Sequence, residues 1–176
     1  MSEFERLHRL DQIGAGENNV SVSAEAEERA ALAKRFGFAA VEALGADYVI
    51  LRDASGIVAR GHLSARVTQH CSVTGDPLPV RVEEDFAIRF LPEPDQEATE
   101  ESELSEDECD TVFYTGGAID LGEAAAETLL LSLDPFPRGP NAAAALKQAG
   151  VISEEEDAAT PKGALAGLKD LLAKKD

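Results

Sequence analysis

The sequence has no tryptophan, two tyrosines, one methionine and two cysteines. With so few large aromatics it offers no platform on which single-stranded bases could stack. Cys71 and Cys109 are far apart, no CxxC pair exists and no HxxxH occurs, which argues against a structural zinc site. Cations are scarce as well: 16 Lys and Arg stand against 34 Asp and Glu, a formal net charge of −18. That sign opposes non-specific binding to nucleic acid, which requires cations to neutralise phosphates. It favours solubility and contact with basic partners. No apolar run follows basic residues near the start of the chain, and none is long enough to span a bilayer. The expectation is a cytoplasmic chain with no membrane segment and two free thiols.

What is present is organised around Arg60 to Phe90. Leu63, Ala65, Val67, Gln69 and Cys71 alternate with Arg60, His62, Ser64, Arg66, Thr68 and His70, the period of a half-buried strand. Thr74-Gly-Asp-Pro-Leu78 supplies turn chemistry. Val80, Val82, Phe86, Ile88 and Phe90 then resume the alternation. Glu84 falls on the apolar face of this second strand, so either a bulge shifts the register there or the strand is partly exposed. Tyr48 to Leu51 reads as a preceding strand turned at Asp53-Ala-Ser-Gly56, which makes 47–90 a continuous antiparallel meander.

Upstream, Phe4, Leu7, Leu10 and Ile13 fit helix or strand by spacing. The turn residues at 14–19 and Val20-Ser-Val22 favour two short strands. Ser23 is a suitable N-cap for a helix from Ala24 to Phe36, stopped by Gly37. Ala39 to Leu44 reads as a further short helical piece. Downstream, Pro92 to Asp110 holds ten acidic residues and no basic one. Such a run is a solvated connector or a docking segment for a basic partner. Val112 to Tyr114 reads as a short strand broken at Gly116-Gly117. Ala118-Ile119 leads into a helix capped by Asp120, with Glu123 placed for a capping box. Leu121, Ala125, Thr128, Leu129 and Leu133 share a face that Leu130 and Leu131 widen, which predicts a largely buried helix ended by Pro135 and Pro137. Asn141 to Gln148 is suited to a helical turn or two. Thr160-Pro161 starts a C-terminal helix with a narrow stripe of Leu165, Leu168 and Leu172, suited to packing on the domain or on a partner.

The fold predicted is α+β: an antiparallel β-meander, a partly closed barrel-like sheet, packed by helices and carrying a long acidic loop at 92–110. Residues 1–140 read as one α+β domain, and 141–176 as a linker plus a short helix.

A search for chemistry assembles no acid, base and nucleophile. His70 and Cys71 are neighbours, but successive strand residues face opposite sides and cannot form a dyad. Cys71 reads as a small buried hydrophobe. Gly116-Gly117 lacks the Lys-Ser or Lys-Thr of a phosphate loop. No catalytic, cofactor or metal residues are assigned. Two surfaces remain. Glu100, Glu101, Glu103, Glu106, Asp107 and Glu108 are candidates for holding a basic partner. Arg60, His62, Arg66 and His70 share one strand face and are candidates for RNA contact, a reading the net charge disfavours.

Three stretches together resemble the YceD-like family, also called the large ribosomal RNA subunit accumulation protein family. They are Gly61-His-Leu-Ser-Ala-Arg-Val-Thr-Gln-His-Cys71, Pro79 to Phe90, and Ile119-Asp-Leu-Gly-Glu-Ala with Glu127-Thr-Leu-Leu-Leu-Ser-Leu-Asp-Pro135. The acidic stretch between the last two is also typical. The tail Gly163-Ala-Leu-Ala-Gly-Leu-Lys169 resembles alphaproteobacterial members. The resemblance implies a non-enzymatic part in 23S ribosomal RNA accumulation and large-subunit biogenesis, with a ribosomal protein or large-subunit assembly intermediate as partner. Many members carry a second cysteine where Thr74 stands here, and no cysteine follows Pro135-Phe-Pro-Arg138. The resemblance therefore brings no metal role to Cys71.

Overall fold

A computed structural model describes residues 2–14, 16–53, 56–93 and 110–152. Seven strands and three α-helices follow in order: β1 Leu7–Arg9, β2 Asn18–Ser23, α1 Ala26–Phe36, β3 Ala40–Asp53, β4 Gly56–His70, β5 Pro77–Pro92, β6 Asp110–Tyr114, β7 Ala118–Asp120, α2 Leu121–Ser132 and α3 Ala142–Gln148. A five-stranded sheet has the order β2-β3-β4-β5-β6, and β1 pairs with β7 in a separate ribbon.

The predicted hairpin is present. β4 and β5 pair antiparallel from Ile57↔Phe90 to His70↔Pro77 without a register shift. Leu63, Ala65, Val67, Gln69 and Cys71 are buried, and Arg60, His62, Ser64, Arg66 and His70 are exposed, as the alternation requires. Of the two readings of Glu84, exposure is the correct one. It stands opposite Leu63 on the inward face and still reaches solvent.

Several expectations are overturned. The sheet is mixed α+β in context but not closed into a barrel: its edges, β2 and β6, are not paired with each other. The inward face is instead covered by α1 and α2, whose Leu32, Leu121, Ala125 and Leu129 are fully buried in the core. β6 also departs from the antiparallel meander by running parallel to β5, from Ile88↔Asp110 to Pro92↔Tyr114.

The stretch expected as a short helix, Ala39 to Leu44, is strand from Ala40 onward, within β3. Val41 and Leu44 are three residues apart, a spacing that suggests a helix face. A register irregularity between Val41 and Ala43 turns both inward within β3. A six-residue piece is also too short to hold a helical turn without help from packing. Ser23 does not cap α1. It ends β2 opposite Gly45, and Glu25 caps instead, its carboxylate and that of Glu28 forming a capping box. Gly37 closes the helix in the left-handed region at φ 71°.

On α2, Asp120 is the cap, accepting from the backbone N–H groups of Gly122 and Glu123 at 3.0 and 3.1 Å. Glu123 does not return to complete a box. It accepts from Ser2 Oγ at 2.6 Å and pairs with Arg35. Leu130 and Leu131 do not widen the buried face, being 42 and 77 % exposed. Ala118 and Ile119 belong to β7 rather than to the helix.

A tight point of the core is the row Tyr48–Gly61–Phe86 across β3, β4 and β5. The two rings meet edge to face over the glycine, centroids 5.1 Å apart. A Cβ on Gly61 would collide with the Asp47 carbonyl oxygen and stand 2.7 Å from the Phe86 ring. Gly61→Ala is expected to lower stability by roughly 1–3 kcal/mol, read as a lower urea midpoint. An unchanged midpoint would show that the row tolerates a side chain.

Candidate functional site

The outward face of β4 carries Arg60, His62, Arg66 and His70, all exposed. They do not form a continuous cationic stripe. Cross-strand pairing sets Asp47 and Asp85 beside His62, and Arg81 beside Arg66. His62 Nδ1 lies 2.6 Å from Asp85 and Nε2 3.1 Å from Glu83. Arg81 itself pairs with Glu83 at 2.7 Å. His70 makes a local contact with the Gly75 carbonyl at 3.3 Å. Arg60 and Arg66 form no ion pair among the described residues, and the carboxylate-ringed His62 lies between them. Six residues of strand put their Cα atoms roughly 20 Å apart.

The Asp85 carboxylate, and then that of Glu83, raise the pKa of His62 above its ordinary 6.5. A folded-state value above the unfolded one stabilises fully below pH 6.5, and the contribution is lost as pH rises through the raised value. An NMR titration of His62 is expected to give a pKa above 6.5 that falls towards it in Asp85→Asn. A value unaffected by that substitution would contradict the pairing.

Cys71 faces inward and is 3 % exposed, away from His70. Its sulfur accepts backbone N–H bonds from Gly139 at 3.3 Å and Thr74 at 3.4 Å. These donors, Gly139 foremost, draw the thiol down to about 6 against the opposing effect of burial. The thiolate therefore contributes stability above the unfolded thiol value of about 8.5 and loses it as pH falls through about 6. In a Cys109→Ser chain, thiolate absorbance is expected to titrate near 6, with iodoacetamide reacting only after denaturant is added. Rapid alkylation of the native chain would contradict the burial.

The acidic candidates Glu100, Glu101, Glu103, Glu106, Asp107 and Glu108 lie outside the described residues, as do Cys109 and the C-terminal helix expected from Thr160. The flanks of the acidic stretch are described. Pro92 pairs with Tyr114 and Ile88 with Asp110, and Glu93 N–H donates to the Tyr114 carbonyl at 3.0 Å. The acidic stretch therefore lies, in sequence, between two adjacent parallel strands.

Two further charged positions escape a reading of single strands. Glu123 joins the N-terminal segment, α1 and α2 through Ser2 and Arg35, and Arg35 also pairs with Glu3 at 3.0 Å. Glu127, one turn on, has no hydrogen bond or ion pair among the described residues. Partial desolvation and the neighbouring Glu123 raise its pKa, against the opposing charge of Arg35. Its signal in the sequence is the i, i+4 pair of glutamates on a helix that is otherwise apolar or small. Among the described residues no cluster of His, Cys, Asp and Glu is arranged to hold a metal ion. No described helix is long and apolar enough to cross a membrane.

The fold defines a mixed α+β protein on an open, mostly antiparallel sheet. The model of the family described as large ribosomal RNA subunit accumulation protein YceD matches residues 59–172, well over half of the chain, and the chain belongs to that family. The description sets the chain in the context of large ribosomal subunit RNA accumulation. No curated protein and no solved structure matches the chain.

Proposed function

We propose that this protein supports accumulation of 23S ribosomal RNA as a cytoplasmic, non-enzymatic factor that binds a basic partner. The partner is a ribosomal protein or a large-subunit assembly intermediate carrying one. The observation that carries this reading is the charge: −18 overall, with ten acidic residues and no basic one between 92 and 110. Such a surface attracts cationic protein extensions and repels phosphate backbones. Family membership supplies the setting, since newly made ribosomal proteins are the abundant basic chains at that stage.

Direct RNA contact through Arg60, His62, Arg66 and His70 is the second reading. The guanidinium groups of Arg60 and Arg66, which form no ion pair among the described residues, favour it. The carboxylates of Asp47, Glu83 and Asp85 among them weigh against it, because each places negative charge where a phosphate would approach.

On a sucrose gradient of lysate, the protein is expected to co-migrate with large-subunit precursors. Replacing Glu100, Glu101, Glu103, Glu106, Asp107 and Glu108 by their amides keeps the length of the connection between β5 and β6. That variant is expected to move to the top of the gradient. Retention of the amide variant with precursors would remove the acidic stretch from the contact. If Arg60→Gln/Arg66→Gln alone released the protein, the second reading would replace the first.

A further inference from the structure

β6 ends the five-stranded sheet, and among the described residues its outer edge has no strand partner. Such an edge presents a row of backbone donors and acceptors to any extended chain. A trough of about 340 Å3 runs along it. Its lining takes Val112 and Tyr114, which pack towards the core, together with Phe113 from the opposite face. Phe90 of β5 and Asp120, Glu123, Ala124 and Glu127 at the start of α2 line it as well, so it opens between the β6 edge and the helix. Leu7 and Ala118 of the β1–β7 ribbon contribute to the other side. Phe113 and Leu7 are 55 and 60 % exposed. Natural sheets ordinarily blunt an open edge with charge rather than leave large apolar side chains on it.

The charged residues that line the trough are all acidic. Asp120, Glu123 and Glu127 line the trough, with no basic residue among its lining. Asp120 is engaged by backbone N–H groups and Glu123 by Arg35 and Ser2, whereas Glu127 makes no hydrogen bond or ion pair among the described residues and feels the Arg35 charge only at longer range. Strand-to-strand pairing with a second copy would bring together two chains of −18 each, which opposes self-association here. A cationic segment meets no such opposition. The acidic stretch also re-enters the sheet at Asp110, the first residue of β6, so electrostatic attraction and the open edge are contiguous along the chain.

We propose that this trough is the seat of the basic partner: an extended lysine- or arginine-rich segment adds as a strand to β6, sets its apolar side chains beside Phe113 on the outward face and its cations towards Glu127 on the face that α2 covers. The inference rests on the partner-binding reading above and gives it a location. Main-chain hydrogen bonds supply affinity without demanding one sequence, while Phe113 and Glu127, on opposite faces of the added strand, select alternating apolar and cationic residues.

The test uses the full chain and a fluorescein-labelled octapeptide of alternating lysine and valine, followed by anisotropy at low salt. Binding is expected, and the matching glutamate–valine peptide is expected not to bind. Glu127→Lys, checked for folding by circular dichroism, is expected to weaken binding at least about fivefold. Two further peptides carry N-methyl groups on one or the other alternate set of amides. Only one side of an added strand faces β6, so one methylated peptide is expected to lose binding and the other to keep it. Equal binding by both methylated peptides, or indifference to Glu127→Lys, overturns the edge assignment. If binding is then lost in the six-residue amide variant, the partner reading survives with its contact in the acidic stretch. If the lysine–valine peptide fails to bind in every arm, the edge assignment fails, and the gradient experiment alone decides the partner reading.

Discussion

The Tyr48 hydroxyl donates to the carbonyl of Leu121 at 2.7 Å, and the rest of the architecture depends on where that bond sits. Tyr48 is on the inward face of the third strand and 2 % exposed, and Leu121 is the first residue of the buried helix. A buried phenol requires a partner, and burial raises the pKa of this one. The bond fixes the start of α2 over the centre of the sheet. It can form because Gly61 leaves room for the Tyr48 ring and Phe86 covers the gap from the next strand. Leu121 N–H donates to the Arg6 carbonyl at 3.0 Å, and Arg6 N–H donates to Asp120 at 2.8 Å, so the N-terminal segment docks at the same point. Arg6 then reaches Glu28 with two guanidinium hydrogen bonds at 2.7 and 2.8 Å, carrying the order on to α1.

With the inward face filled in this way, function is left to the outward face and to the edges. The outward face is a lattice of compensating charges. Exposed pairs of this kind contribute little to stability, but they decide what the surface can attract. The edge at β6 differs, because Glu127 has no hydrogen bond or ion pair among the described residues, Phe113 is exposed and β6 begins at Asp110, directly after the acidic stretch in sequence. Parallel pairing of β5 with β6 is what places that start at the edge. An antiparallel hairpin would have needed only a short turn.

Much of the fold was legible because burial imposes a period of two on strands. The hairpin, the outward position of His70, the inward position of Cys71 and the Asp120 cap all follow from residues read one segment at a time. What was not legible depended on pairing between segments. Val41 and Leu44 read as a helix face because only a register irregularity lets them share a strand face. Leu130 and Leu131 read as core because nothing local says how much of α2 the sheet can cover. His62 read as part of a cationic stripe because its neighbours in space, Asp47, Glu83 and Asp85, come from other strands. Placing Glu84 on the inward face already implied that residues 81, 83 and 85, all charged, face the same way as His62. The parallel direction of β6 left no comparable mark.

The central claim is that carboxylates, rather than the β4 cations, make the contact with the assembling subunit. Zero-length carboxyl-to-amine cross-linking of the protein bound to large-subunit precursors, with the linked peptides mapped, tests it most directly. The account predicts links from residues between 92 and 110 and from Glu127 to lysines of a protein in the particle. Absence of those links, together with ultraviolet cross-links from the β4 face around Arg60 and Arg66 to ribosomal RNA, would contradict it.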